Sequence, residues 1–202
     1  MDRFSFFFAF YGLLLGLAVA ELLSGFARLV RARALRKLEA RTTLAALFPF
    51  LAICATWIDA FGRFENVSLD FAGLWGPIVT GTAYFLAATV IFPTDEQEFE
   101  RLGDYFAQRQ RFIAAMLLVA ETCVNISFID YYAYSFHQRP AAFWLVLVPF
   151  NLTINAIFIG LLVTNPRRAT ALLLAAQVAL FALIYWSRGW LTAFAERQFG
   201  GP

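Results

Sequence analysis

Two glutamates stand inside long apolar stretches of the chain, where a charged side chain is costly. Glu121 lies near the middle of its stretch, and Glu21 lies nearer one end of the first stretch. A charge at the centre of a membrane costs roughly 2.5–3.5 kcal/mol or more, so we expect both to face a bundle interior or a wet cavity. Such a carboxylate can bind a proton or a cation. The alternatives are structural hydrogen-bond anchors and, for Glu21, an ion pair with Arg28.

Three asparagines are further candidates for binding a cation or a polar solute. Asn125 follows Glu121 by four residues, and Asn151 and Asn155 are also four residues apart, so each pair shares one face of a helix. Pro149, just before the second pair, leaves a backbone carbonyl one turn earlier without its helical partner. Amides and freed carbonyls can coordinate a cation or a polar solute, or the amides can join helices by hydrogen bonds. The predicted ion or solute site comprises Glu121, Glu21, Asn125, Asn151 and Asn155.

The chain repeats part of its pattern at a shift of 100 residues. Glu21 corresponds to Glu121, and Pro49 corresponds to Pro149, each among identical apolar neighbours. A three-helix unit repeated in tandem inserts its second copy upside down, as in transporters that bind solute between inverted halves near the membrane midplane. Coincidence is the alternative, since apolar sequences share letters easily.

The two predicted halves are chemically unequal. Pro49 is followed by Thr56 and Asp59, where the second half carries asparagines. Weaker candidates for polar contacts within the helices are Thr80, Thr82, Tyr84 and Gln177.

Several kinds of chemistry are excluded by what the sequence lacks. The single histidine, His137, lies in a predicted loop, which excludes a bis-histidine haem site and a serine–histidine dyad within the membrane. Cys54 and Cys123 fall inside apolar stretches and are expected to be small buried hydrophobes. No glycine-rich loop is present to cradle a phosphate. We therefore expect no cofactor, no metal site and no enzymatic activity.

These side chains belong to a strongly apolar chain. Of its 202 residues, 61% are hydrophobic and 15% are charged, whereas soluble domains are nearer 45–50% apolar and about 25% charged. A chain of this size cannot bury that much apolar surface in one core. The net charge is only +2, which gives no reason to expect a nucleic-acid partner. The composition predicts a protein embedded in a lipid bilayer.

Six segments have the roughly 20 apolar residues that a membrane-spanning helix needs. We predict an all-α integral membrane protein with a single polytopic domain, residues 1–202. It comprises two inverted three-helix repeats, residues 1–100 and 101–186, and an interfacial tail, residues 187–202. The polar connection Pro93–Arg111 has room for a short surface helix. The predicted spans are Phe4–Ala27, Thr43–Phe61, Phe71–Phe92, Phe112–Tyr131, Ala141–Thr164 and Ala169–Trp186.

Lysine and arginine in the short loops indicate the orientation, because the cytoplasmic side carries the excess. The loop after the first span, Arg28–Arg41, holds six of them, and its side of the membrane holds eleven against five. We therefore predict a multi-pass protein of the cell (inner or plasma) membrane with both termini outside the cytoplasm.

The first span carries small residues at intervals of four, which lets another helix approach closely. This face predicts a homo-oligomer, since 202 residues enclose little volume alone. The small residues are Gly12, Gly16, Ala20 and Ser24.

Two functions fit these observations. The first is a small transporter or channel for a proton, a small cation or a small polar solute, using the glutamates and asparagines above. The second is a membrane assembly subunit that transports nothing and presents Arg28–Arg41 to anionic lipid or a partner protein, at about 1 kcal/mol per basic residue. A pure scaffold has no need of Glu121 and should tolerate its substitution.

Overall fold

The structure is a computed structural model and describes residues 3–63, 71–164 and 166–199. Within these ranges the regular structure is helical and includes no strand, which confirms the all-α prediction. Short 3-10 turns lie at Leu35–Lys37 and Glu96–Arg101. The helices are α1 (Arg3–Arg31), α2 (Ala40–Arg63), α3 (Phe71–Ile91), α4 (Leu102–Ser127), α5 (Ile129–Gln138), α6 (Pro140–Val163) and α7 (Arg167–Phe199).

The outer surface of the bundle is apolar, as lipid contact requires. In the described part of the chain, α1, α2, α3, α6 and α7 are long and apolar enough to cross a membrane, and α4 with α5 makes a sixth span if the bent pair is counted as one. Phe6 and Leu13 on α1 are each 62% exposed, while Phe7 and Tyr11 on its other face are buried. Side chains of this kind are stable at the surface when the solvent is lipid. The protein is therefore membrane-embedded.

The fourth predicted span, Phe112–Tyr131, differs from the observed helix at both ends. The helix α4 begins at Leu102, and the chain bends by 58° between α4 and α5. The Ser127 hydroxyl donates to the Cys123 carbonyl at 2.8 Å, four residues back. Such back-bonding competes with the helical ladder and commonly bends a helix. The bend turns Phe128 inward, where it is buried.

Helix α6 matches its predicted span but contains an irregular segment, and helix α7 runs further than predicted. A π-helical segment, Phe143–Leu147, lies inside α6 just before Pro149, which has no backbone N–H to complete the ladder. The helix α7 continues past Ser187 to Phe199 without a break. The interfacial position of the tail stays a prediction, and residues 200–202 lie outside the described part of the chain.

A group of charged residues ties together the first turns of α2, α4 and α7. Arg41 is buried and donates to Glu39 Oε2 at 2.6 Å and to the Gly103 carbonyl at 3.2 Å. Arg167 donates to Asp104 Oδ1 at 2.6 Å. A Cβ atom at position 103 would meet the Glu39 carboxylate, which would have to move away from its contact with Arg41. We call these five residues the clasp: Glu39, Arg41, Gly103, Asp104 and Arg167.

The helix α3 joins the two predicted halves, because it packs against α1 on one side and α4 on the other, while α2 packs against α7. The equivalence of the halves by an inverted repeat stays a prediction. On α1, a Cβ at Gly12 would contact the Trp57 ring, whereas Gly16 faces open space and Ala20 and Ser24 are exposed. Most of the small-residue face is thus uncovered within one chain, and the homo-oligomer stays a prediction.

Gln110 closes the end of α6. It is buried on α4, and its amide donates to the Leu161 carbonyl at 2.9 Å and the Thr164 carbonyl at 2.7 Å. The Thr170 hydroxyl of α7 donates to its Oε1 at 3.2 Å. One side chain therefore satisfies the last carbonyls of α6 and connects three helices.

We expect Gln110→Leu to destabilise the fold by about 1–3 kcal/mol, because the buried carbonyls of Leu161 and Thr164 lose their donor. Gln108→Leu is the matched control, since Gln108 is exposed on the same helix. Thermal unfolding in detergent, followed by circular dichroism, would show a lower Tm for Gln110→Leu alone. Equal Tm values for the two variants would contradict the capping role.

Candidate functional site

A partly enclosed cavity of about 60 Å³ lies inside the bundle, bounded by side chains of α2 to α7. That volume holds a few water-sized groups. The helix α1 contributes nothing to it among the described lining residues. Its polar lining consists of Thr56, Asp59, Tyr84, Glu121, Asn125, Tyr131, Tyr132, Asn151 and Tyr185.

Glu121 is the buried acid of this cavity. Its side chain is only 8% exposed and hydrogen-bonds to Asn125, one turn further along α4. The Tyr132 hydroxyl, beyond the bend, donates to Asn125 Oδ1. Asn125 therefore connects the carboxylate on α4 to a tyrosine on α5. The four-residue spacing predicted that Glu121 and Asn125 share a helix face, but not the contact with Tyr132.

Asp59 on α2 is a second acid in the same cavity. It is half-buried, and the Tyr185 hydroxyl of α7 donates to its Oδ2 at 2.9 Å. The sequence marked Asp59 only as a chemical difference between the halves. The signal that could have placed it in the site was its presence in an apolar helix, one turn after Thr56, which also lines the cavity.

Tyr84, a weaker candidate from the sequence, completes the wall on α3. It is 1% exposed and shares a hydrogen bond with Thr56 on α2. Thr80, Thr82 and Gln177, the other weaker candidates, are not among the described residues that line the cavity.

The asparagines of α6 bond mainly to their own helix. The Asn151 amide donates to the Leu147 carbonyl at 2.9 Å, and the Asn155 amide donates to the Asn151 carbonyl at 2.7 Å. Asn151 lines the cavity beside Glu121 and Asn125. Asn155 lies instead on an open groove between α4 and α6. The structure thus brings together three of the five predicted site residues.

Glu21 lies apart from these groups. Its Oε1 is 3.3 Å from the Arg28 guanidinium, seven residues along α1, and it does not line the cavity. This is the ion pair that the sequence left open as the alternative for Glu21. Glu21 was predicted to share the site with Glu121, but among the described residues that line the cavity the second acid is Asp59.

Helix geometry explains why residues so distant in sequence meet here. The helices α2, α4 and α7 all start at the clasp and run in the same direction. Asp59, Glu121 and Tyr185 each lie about 19 residues, or roughly 28 Å of helix, beyond that start. The clasp therefore sets the register that places the three side chains around one cavity.

Two open grooves adjoin the cavity on the side of α6. One, of about 290 Å³, is almost entirely apolar, and the other, of about 320 Å³, includes Asn155. Asn125 and Tyr132 line both grooves and the cavity. Their mutual hydrogen bond therefore forms part of the wall between the cavity and the outer surface.

Comparison of the chain with protein-family models, curated proteins and solved structures finds no match in any of the three. Function is decided by the chemistry of a site and not by the fold that carries it. The described residues contain no group of three or more His, Cys, Asp or Glu side chains that could hold a metal ion. What the cavity offers is two carboxylates, amide and hydroxyl groups, and aromatic walls.

We expect the cavity to be wet and negative, which cysteine labelling can measure. In a chain with Cys54→Ala and Cys123→Ala, Asn151→Cys should react with a membrane-impermeant cationic methanethiosulfonate about tenfold faster than with an anionic one of similar size. Ile159→Cys, on the exposed face of the same helix, is the control and should resist both reagents in lipid. Equal rates of the two reagents at position 151 would argue against a negative cavity.

Proposed function

We propose that this protein is a small multi-pass transporter or channel that moves a proton, a small cation or a small polar solute through the cavity around Glu121. The supporting observation is the buried Glu121 carboxylate, which lines a cavity of water-sized volume. No basic side chain in the described part of the chain pairs with it. Burying an ionised carboxylate is costly unless a proton, a cation or hydrogen bonds offset the lost hydration.

Asp59 is the second acidic group of this proposal. It comes from α2 and Glu121 from α4, so the two carboxylates lie on different elements of the bundle. A change in the relative position of these helices changes the field at both acids. Binding and release of a positive charge can therefore be linked to a movement of the helices, which alternating access requires.

Flux in proteoliposomes tests the proposal. Under an imposed gradient of H⁺, Na⁺ or K⁺, the parent protein should carry at least one of these ions, and Glu121→Gln should abolish that flux because the amide cannot carry the charge. Glu98→Gln is the matched control, since Glu98 lies in the turn before α4, outside the cavity. Flux that survives Glu121→Gln would contradict a role for this carboxylate.

The choice between Asp59 and Glu21 as second acid gives a separate prediction. We expect Asp59→Asn to lower the flux by tenfold or more, because it removes a charge from the cavity wall. Glu21→Gln should retain the flux, because Glu21 pairs with Arg28 away from the cavity. If Asp59→Asn retained the flux and Glu21→Gln lost it, Glu21 and not Asp59 would be the second acid.

The alternative is an assembly subunit that transports nothing. It is favoured by the exposed Arg31, Arg33 and Arg36, which form no ion pair with the described residues and are available to anionic lipid or a partner. Absence of flux for every ion and every small polar solute tested, with Glu121→Gln as stable as the parent, would support this alternative.

A further inference from the structure

The cavity around Glu121 is walled largely by aromatic rings. Seven of its seventeen described lining residues are Phe or Tyr. Phe181 and Tyr185 stack with centroids 4.5 Å apart, and Phe150 lies 6.4 Å from Phe181 on the same wall. Across the bend, the rings of Tyr131 and Tyr132 meet edge to face at 6.0 Å. The cavity therefore combines two acids with several π-systems.

This combination suits one kind of cation better than others. A bare metal ion needs a shell of oxygen ligands to replace its water, and the described residues hold no cluster of three or more acidic, His or Cys side chains. A quaternary ammonium ion has alkyl groups around its charge and is hydrated more weakly than a metal ion, so it loses less hydration on entry. The faces of aromatic rings attract such ions, and aromatic cages are the usual way in which proteins bind quaternary ammonium groups.

The charge of the cavity points the same way. None of the described residues that line it is Lys, Arg or His, and Glu121 is buried without a basic partner in the described ranges. A neutral guest of the same shape would gain the contacts with the rings but would leave that carboxylate uncompensated. The volume of about 60 Å³ admits only a small group.

We propose that the cavity of Glu121, Asp59, Tyr185 and the neighbouring rings binds a small organic ammonium group. The proposal rests on the transport function proposed above, because it names the class of solute for the same site. The ammonium group lies near the two carboxylates, and its alkyl substituents contact the rings of Phe150, Phe181 and Tyr185.

Calorimetric titration of the full-length protein in detergent tests the binding directly. The probe is tetramethylammonium chloride, which has no proton to lose and so cannot cross a bilayer as a free amine. Sodium chloride at equal ionic strength and the neutral tert-butanol are the controls. We expect saturable binding of tetramethylammonium only. Equal heats for tert-butanol, or no binding of tetramethylammonium, would overturn the proposal.

Two substitutions at one position separate the ring from the hydroxyl. Tyr185→Phe and Tyr185→Leu both lose the hydrogen bond to Asp59, but only Tyr185→Leu loses the ring. We expect Tyr185→Leu to bind tetramethylammonium with a Kd about 3–30-fold higher than that of Tyr185→Phe, which is the range that one cation–π contact supplies. Equal Kd values for the two variants would overturn the role of the ring, and the titration of the parent does not depend on either variant folding.

The flux assay distinguishes failure of this proposal from failure of the transport proposal. Flux of H⁺, Na⁺ or K⁺ that depends on Glu121, in a protein that does not bind tetramethylammonium, would leave transport standing and overturn the ammonium site. Saturable binding of tetramethylammonium that is lost in Glu121→Gln, without flux of any ion including tetramethylammonium, would support the ammonium site and overturn the transport of ions.

Discussion

The buried guanidinium of Arg41 is the constraint on which the rest of the arrangement depends. An arginine buried at a helix start must find acceptors, and here they are the Glu39 carboxylate and the Gly103 carbonyl. Gly103 lies in the first turn of α4, so Arg41 holds the starts of α2 and α4 together, and the neighbouring ion pair of Asp104 with Arg167 brings in the start of α7. The positions of Asp59, Glu121 and Tyr185 around one cavity follow from that shared start.

The cavity is assembled from parts that are individually ordinary in membrane helices. Aromatic residues, asparagines that bond to their own backbone, and a serine that bends a helix all have structural uses. The cavity differs from ordinary helix packing because it contains the buried Glu121 carboxylate, which has no basic partner in the described ranges. The bend at Phe128 contributes, because it turns the ring of Phe128 and the tyrosines of α5 toward Glu121 and Asn125.

Sequence alone predicted the helical class, the membrane setting and the shared helix face of Glu121 and Asn125, because apolar length and four-residue spacing are local properties. Asn151 was proposed for the same site from its residue type, and its position there depends on how α4 packs against α6. The sequence could not predict the second acid of the cavity, since the position of Asp59 on the cavity wall depends on how α2 packs against α7 and α4. The start of α4 at Leu102 was missed for a similar reason: Gln110 and its polar neighbours look like a loop until the end of α6 supplies their partners. The apparent repeat drew attention to Glu21, yet an arginine seven residues along α1 offered a nearer charge.

The clasp also makes the two ends of the bundle respond differently to salt. At the clasp, the Arg41 guanidinium of α2 donates to the Gly103 carbonyl of α4, and the exposed Arg167 and Asp104 side chains pair between α7 and α4. At the other end, the hydrogen bonds of Tyr132 to Asn125 and of Tyr185 to Asp59 lie among aromatic rings. Dissolved salt screens exposed ion pairs and leaves contacts between rings unchanged. High ionic strength therefore weakens the clasp end of the bundle more than the aromatic end.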